Sequence, residues 1–338
     1  MANDSQILGI SNAIVDILAH VEPGFIETIG AVPGAMNLID EARAREIYDQ
    51  MGPATEMSGG SVANTIAGFA TLGGTAAYIG HVRDDQLGEI FNHDMRSLGV
   101  DIRLAPAPEG KETARSYILI TQDGQRTMNT YLGSCTELGV AHVTEETMGS
   151  PKVVLIEGYV WDLAEGPALA RKAIDIAQAN GTAVALSLSD SFCVERHRQP
   201  FMDAVDDGVD IVVADEDEVN ALFETASFGE TLPILLERDN LFVTTRSEKG
   251  SVIVHRAAYH EQPATPVEQV VDTTGAGDAY CAGFLYGWAH AWPLAECARL
   301  GTYVATHVIQ QIGARIEPGI LTKFPQTTSD HRIPDQGG

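Results

Sequence analysis

The sequence predicts an α/β fold, a mainly parallel sheet covered by helices on both faces, with a smaller β-rich piece attached. Two observations carry this. Between Lys152 and Ser247, short runs of β-favouring residues alternate with helical stretches, the pattern of parallel crossover units. Residues 101–132 have a different texture, alternating strands with a hairpin signal at Asp123-Gly124.

The elements follow in order. The opening ILGISNAIVDILAHV has strand character interrupted by Asn12 and Asp16, and Glu41 to Met51 turns helical. SGGSVANTIAGFATLGG then pairs two glycines with small residues at helical spacing and closes on Gly73-Gly74. TAAYIGHV is a strand, and DDQLGEIFNHDMRSLGV a helix that ends at Gly99. Beyond the β-rich stretch, KVVLIEGYV, TAVALSLS, VDIVVAD and NLFVTTRS are strands. They are separated by helices near 165–180 and 196–206 and one starting near 216, and GSVIVHR is a hairpin partner for the last strand. No internal repeat is present, and the tail QTTSDHRIPDQGG is expected to fray. One domain over 1–325 is therefore expected, its β-rich piece drawn from about 12–40 and 101–132, with 326–338 as a flexible tail.

Of 338 residues, 47 are acidic and 21 are Lys or Arg, a formal charge of −26. Such a surface repels nucleic acid and anionic lipid, which excludes both as expected partners. An anionic ligand would need backbone N–H groups, a metal or a few placed cations. No run approaches the roughly 18 apolar residues of a membrane helix, and the N-terminus lacks the basic leader of a signal peptide. The four cysteines form no CxxC pair, which favours reduced thiols over disulfides or zinc. A cytoplasmic protein is expected.

The chemistry concentrates in VVDTTGAGDAYCAGFL, residues 270–285, where a strand-like segment is expected to become a helix through Gly275, Ala276 and Gly277. Successive N–H groups there suit an anion, aided by the helix dipole. Asp278 is then either a helix cap or a working carboxylate. Asn12 and Asp16, polar residues inside an apolar strand, are costly unless satisfied, and a pair of acceptors suits a vicinal diol.

The string DTTGAGDAYCAGFL resembles the C-terminal signature of the ribokinase-like (PfkB-type) carbohydrate and nucleoside kinases. GGSVANTIAGFATLGGTAAYIGHVRDDQLGEIF, residues 59–91, resembles their N-terminal motif. The resemblance extends from GISNAIVDIL to VIQQIGA. It implies a Rossmann-like three-layer core with a small β-sheet lid, and phosphoryl transfer from ATP to a hydroxymethyl group. Asp278 then resembles the general base, and Gly275, Ala276 and Gly277 the anion hole for the phosphoryl in flight, a reaction that asks for positioning and charge stabilisation.

The family's Asn-x-x-Glu becomes Asp215 and Glu218 here, a departure at the first position; Glu218 is expected to organise Mg²⁺ through water. VTTRSEKGS resembles the nucleotide loop, with Thr245 and Gly250 near ATP, and Arg246 either a cation for the phosphates or a solvated turn residue. Asp272 and Thr274 are candidates for a monovalent cation such as K⁺. Asn12, Asp16, Gly60 and Asn64 resemble a sugar pocket. PGAMNLID and TMNTYLG look closest to the bacterial adenosine-kinase-like branch, which makes Met36, Leu38 and Tyr159 candidate purine contacts. Arg126, on the lid hairpin, either reaches the phosphates on closure or is solvated.

The expected activity is ATP-dependent phosphorylation of a ribonucleoside 5′-hydroxyl, adenosine preferred, with a ribokinase- or fructokinase-type sugar kinase as the alternative. A nicotinamide-dependent dehydrogenase is disfavoured, because GISNAIVD lacks Gly-x-Gly-x-x-Gly. Monomer and homodimer both remain open.

Overall fold

The computed structural model of the chain describes residues 5–122 and 124–325; the tail 326–338 and Asp123 of the hairpin signal lie outside the described residues. In chain order the strands are β1 (Ile7–Ile10), β2 (Ile14–His20), β3 (Met36–Leu38), β4 (Thr55–Gly59), β5 (Ala76–Ile79), β6 (Asp101–Ile102) and β7 (Ala114–Ile120). They continue as β8 (Arg126–Tyr131), β9 (Val153–Glu157), β10 (Ala183–Ser187), β11 (Ile211–Asp215), β12 (Leu241–Thr245), β13 (Ser251–His255) and β14 (Ala258–Gln262). Nine form a large sheet in the order β14-β13-β12-β11-β10-β9-β1-β5-β6, and five a smaller one in the order β3-β8-β7-β2-β4.

The large sheet is parallel from β6 to β12, with β13 and β14 added antiparallel at one edge. Its central strands are near-continuous apolar runs that turn polar only at their carboxyl ends, because both faces are covered. Ile7, Leu155 and Val243 pack with the helices Ser61–Thr71, Ala276–Ala289 and Leu294–Val308. Their neighbours Leu8, Val154 and Phe242 pack on the opposite side with Gly166–Ala179, Ser191–Asp207 and Glu216–Phe223. This is the three-layer core the sequence leads one to expect.

The chain leaves β1 in two senses. β5 and β6 lie to one side, and β9 to β12 to the other. Such a switch point opens a crevice beyond the carboxyl ends of the strands, and ligands bind there in open α/β sheets. Asn12 follows β1 at that crevice, and Glu157 ends the neighbouring β9.

The opening segment is two strands, not one. β1 belongs to the large sheet and β2 to the small one, and the polar break at Ser11–Ala13 is where the chain crosses between them. The small sheet also takes in Thr55–Gly59, which the sequence reading had not assigned to it, while Asp101–Ile102 pairs with β5 in the large sheet instead. Thr55–Gly59 was illegible because it is short and polar, so only its pairing with β2 makes it a strand.

On the small sheet Val15, Ile17 and Ala19 are buried in one cluster with Ile26, Ala44 and Ile47 of two flanking helices. The opposite face carries Asp16 and Leu18, in register with Ser116 and Ile118 on β7 and with Thr130 and Met128 on β8. Leu38 and Met36 on β3 continue those two rows.

Two further expectations change. The segment before Ala276 is irregular rather than a strand. The helix expected at 196–206 begins at Ser191, capped by Asp190, and bends at His197; Pro200 lies within it, which explains why the sequence pattern showed only its second half. All four cysteines are buried and free. Among the described residues no helix is long and apolar enough to cross a membrane.

Candidate active site

A cleft of about 850 Å³ opens beyond the strand ends, lined among others by Ser61, Asp215, Glu218, Thr245, Gly250 and Asp278. Helix Ala276–Ala289 begins at this cleft. Gly275 precedes it with φ +73°, and a Cβ there would lie 2.3 Å from the Ala314 side chain, so the turn requires glycine. Ala276 spends its N–H on the Thr273 carbonyl at 3.1 Å. The first-turn amides of Gly277 and Asp278 have no partner inside the helix, and a Cβ on Gly277 would meet nothing within 4 Å. Of the three residues expected to form an anion cradle, Ala276 has its N–H engaged, while the amides of Gly277 and Asp278 stay available at the helix start.

The Asp278 carboxylate is held from helix Ser61–Thr71. Ser61 Oγ donates to Oδ1 at 2.7 Å, and Asn64 Nδ2 donates to Oδ2 at 3.0 Å. Residues 61 and 64 share one helical face. Burial pushes the carboxyl up to about 6, while these two donors and the Arg315 guanidinium pull it back. An acid poised near neutrality, with a lone pair on each oxygen beyond these two donors still open to a substrate hydroxyl, is suited to general-base work.

Asp16 faces the same space from the small sheet. Burial raises it to about 7, Arg315 and Arg126 lower it, and the Asp278 charge raises it. The Gly-Gly pair makes this approach possible. A Cβ on Gly59 would fall 2.2 Å from Asp16 Oδ2, and one on Gly60, at φ +95°, would fall 2.7 Å from the Asn12 carbonyl. Asn12 Oδ1 is buried with no hydrogen-bond partner among the described residues. An orphaned acceptor of this kind is costly unless a ligand meets it.

Two residues that sequence reasoning passed over tie these pieces together. Glu157, almost fully buried, accepts the Asn12 amide on Oε2 at 2.9 Å and the Val62 amide on Oε1 at 3.2 Å. Burial lifts it to about 7 and those two amides oppose the rise. It locks the exit of β1 to the start of helix Ser61–Thr71. Arg315 donates from Nη1 to Asn64 Oδ1 at 2.9 Å and from Nη2 to Ser58 Oγ at 2.5 Å and to the Ser58 carbonyl. Neither lies in a motif. Ser61 was legible, three residues before Asn64 and directly after the glycine pair, but was overlooked.

On the far side of the cleft, Asp215 caps helix Glu216–Phe223 in a reciprocal capping box. The Glu218 amide donates to Asp215 Oδ1 at 2.8 Å, and the Asp215 amide donates to Glu218 Oε2 at 2.9 Å. Burial and then the Asp215 charge push Glu218 up to about 8, and burial raises Asp215 as well. A nearby cation would favour the ionised form of this carboxyl, and its oxygens are the donor type a hydrated Mg²⁺ takes. Among the described residues no cluster of three or more His, Cys, Asp or Glu forms a direct metal cage. Gly250, at φ +85°, could not carry a Cβ, which would overlap the Gln262 carbonyl at 2.0 Å.

Several expectations are redirected. Arg246 pairs with Glu216 at 2.6 Å and lies 4.5 Å over the Phe228 ring, so its charge is already engaged. Arg126 is not a solvated hairpin residue: it reaches from β8 to Asp272 at 2.5 Å. Asp272 also accepts the Thr274 amide at 2.9 Å and the Gly313 amide at 2.7 Å. That carboxylate has its countercharge, which does not fit a monovalent cation at Asp272 and Thr274. Tyr159 packs against the core cluster shared with helices Gly166–Ala179 and Ser191–Asp207 and is not among the residues that line the cleft; burial and then Asp190 raise its phenol. Met36 and Leu38 are exposed on the edge strand, three strands or roughly 14 Å from Asp16.

Comparison with known proteins agrees with this geometry. A family model described as pfkB family carbohydrate kinase matches residues 25–319. The adenosine kinase of Sinorhizobium meliloti is 48% identical in sequence and superposes with a TM-score of 0.87, covering 95% of this chain and 98% of that one. A probable sugar kinase from Rhizobium etli CFN 42 is 43% identical, also with a TM-score of 0.87, covering 94% and 97%. A 5-dehydro-2-deoxygluconokinase from Lacticaseibacillus casei is 27% identical over 267 residues, 76% of this chain and 81% of its own. With its family match, its mixed two-sheet architecture and these relatives, the chain belongs to the pfkB family of carbohydrate kinases and is an ATP-dependent phosphotransferase.

Proposed function

We propose that the protein phosphorylates the 5′-hydroxyl of a ribonucleoside, adenosine above others. The observation that carries the nucleoside over a free sugar is the open face of the small sheet. Beside Asp16 it presents Leu18 and Met128, both half-buried, with the exposed Met36 and Leu38 lying farther out on the edge strand. A free sugar has no group to cover that apolar strip; a purine beyond the ribose does. The similarity to an adenosine kinase supports the same choice.

In this reading Asp16 and the orphaned Asn12 Oδ1 accept from the ribose hydroxyls, which sets the 5′-hydroxyl against Asp278. Asp278 takes the proton as the oxygen attacks the terminal phosphorus of ATP, and ADP leaves. The Gly277 and Asp278 amides and the dipole of helix Ala276–Ala289 meet the charge on the transferring phosphoryl. Thr245 and Gly250 border the nucleotide. Glu218 beside Asp215 would hold Mg²⁺ through water, and the ion would neutralise charge on the phosphates of ATP. The small sheet acts as a lid, fastened in the present arrangement by Arg126 and Asp272.

ATP consumption measured in parallel with adenosine, other nucleosides, ribose and fructose tests the reading. Turnover greatest on adenosine is expected. Turnover confined to free sugars would overturn it in favour of a sugar kinase, the activity to which the Rhizobium etli and Lacticaseibacillus casei relatives lend weight.

A further inference from the structure

Arg315 comes from the loop after the last long helix, carries no motif, and yet enters the centre of the site. Its two terminal nitrogens do different things. Nη1 donates to Asn64 Oδ1, and the Asn64 amide must then present Nδ2, its donor end, to Asp278 Oδ2 at 3.0 Å. Nη2 is anchored on Ser58, through Oγ and the carbonyl. Ser58 Oγ and its amide in turn donate to Asp94 Oδ2, which also lies 3.6 Å from Nη2. The guanidinium is thus held rigidly by groups on β4 and helix Gln86–Ser97, while its charge faces Asp278 and Asp16.

We propose that Arg315 is a positioning residue for the transfer step: it sets the Asn64 amide with its N–H toward Asp278 and places a fixed positive charge before both Asp278 and Asp16. This rests on the reading of Asp278 as the base. An unoriented amide flips freely between presenting oxygen and nitrogen, and oxygen toward a carboxylate repels.

The groups facing Asp278 come from every neighbouring element. They are Ser61, Asn64 and Thr65 from the glycine-led helix, Glu157 from β9, Cys281 one turn along its own helix, Asp16 from the small sheet, and Arg315. Three of these are acids or a thiol, so the one cation among them matters. Arg126 faces Asp16 but is committed to Asp272, and Asp94 faces Arg315 and offsets part of its charge. Burial and the Arg315 charge act on Asp278 in opposite directions.

The test is the pH profile of kcat/KM with saturating ATP and Mg²⁺, using the acceptor of highest turnover, for wild type, Arg315→Met, Arg315→Lys, Asp94→Asn and Asp278→Asn, with the melting temperature of each. In Arg315→Met the acid limb should move up by about one pH unit as an opposing charge is lost, and kcat should fall about tenfold. In Arg315→Lys the limb should return toward wild type while kcat stays reduced, because the charge is kept and the fork to Asn64 is not. Asp94→Asn should move the limb the other way, toward lower pH. If Arg315→Met does not fold, the Lys and Asp94 variants decide alone. A limb that stays in place in the folded variants, or a loss equal at every pH, overturns the role of Arg315. Near wild-type turnover in Asp278→Asn overturns the base itself, a separate failure.

Discussion

Asp278 is a half-buried carboxylate at the head of a helix, raised by burial and held back by Ser61, Asn64 and Arg315. Asp278→Asn is expected to lower kcat by roughly 10²- to 10⁴-fold, the range for a general base, with a melting temperature no lower than wild type. Steady-state kinetics and calorimetry on one preparation check both. Asp16 behaves similarly. Its folded-state value near 7 lies above the unfolded carboxylate range, so the folded state holds more protons between about pH 4 and 7, and the wild type loses stability as pH rises through that window. An asparagine has no such dependence. The stability advantage of Asp16→Asn should therefore grow from about pH 4 to 7 and level off above, while KM for the acceptor rises about tenfold or more. Thermal melts across pH measure the first, and initial rates the second. At this scale the sequence was legible where a residue violates its surroundings, as Asn12 and Asp16 do within an apolar run. It was silent on Arg315, which sits at an ordinary-looking position and acquires its role through partners far along the chain, whereas Glu157 breaks the apolar run VVLI as visibly as Asn12 does and was overlooked.

Among the elements, the glycine-led helix Ser61–Thr71 and the helix Ala276–Ala289 form the working pair, the first supplying Ser61 and Asn64 and the second Asp278. Both begin on glycines with positive φ, Gly60 and Gly275. At Gly60 a methyl group meets backbone rather than a yielding side chain, so Gly60→Ala combines left-handed strain with a clash at the Asn12 carbonyl. A loss of about 2 kcal/mol or more is expected from these two effects together. A fall in kcat/KM larger than the fall in folded fraction is expected too, because the Asn12 carbonyl is displaced beside the proposed sugar-binding residues. Denaturant melts paired with kinetics check it. These helices were readable from local spacing. The strand Thr55–Gly59 was not, since nothing in its own residues marks a strand and only the edge of β2 selects it.

For the whole molecule, the Arg126–Asp272 pair is a direct link between the small sheet and the core. Breaking a largely buried pair leaves one charge uncompensated, although two amides remain on Asp272. Arg126→Ala should cost about 2 kcal/mol. It should also speed amide exchange on β7 and β8 while the central strands β1, β9 and β10 keep their protection. Hydrogen exchange with mass spectrometry reads this, and equal loosening of both sheets would count against a separately moving lid.

The amino-acid sequence by itself determined the α/β class, the alternation that builds the parallel sheet, and the glycine-led loop that leads into Asp278, because periodicity and turn chemistry act over a few residues. What only the tertiary structure decided is how the site is wired. Arg126 turns to Asp272 instead of solvent, Arg246 is spent on Glu216, and Arg315 reaches Asn64 across the fold. The physical reason is that a charge in a chain of net −26 is claimed by whichever carboxylate or amide the fold brings nearest, and sequence separation does not encode that distance.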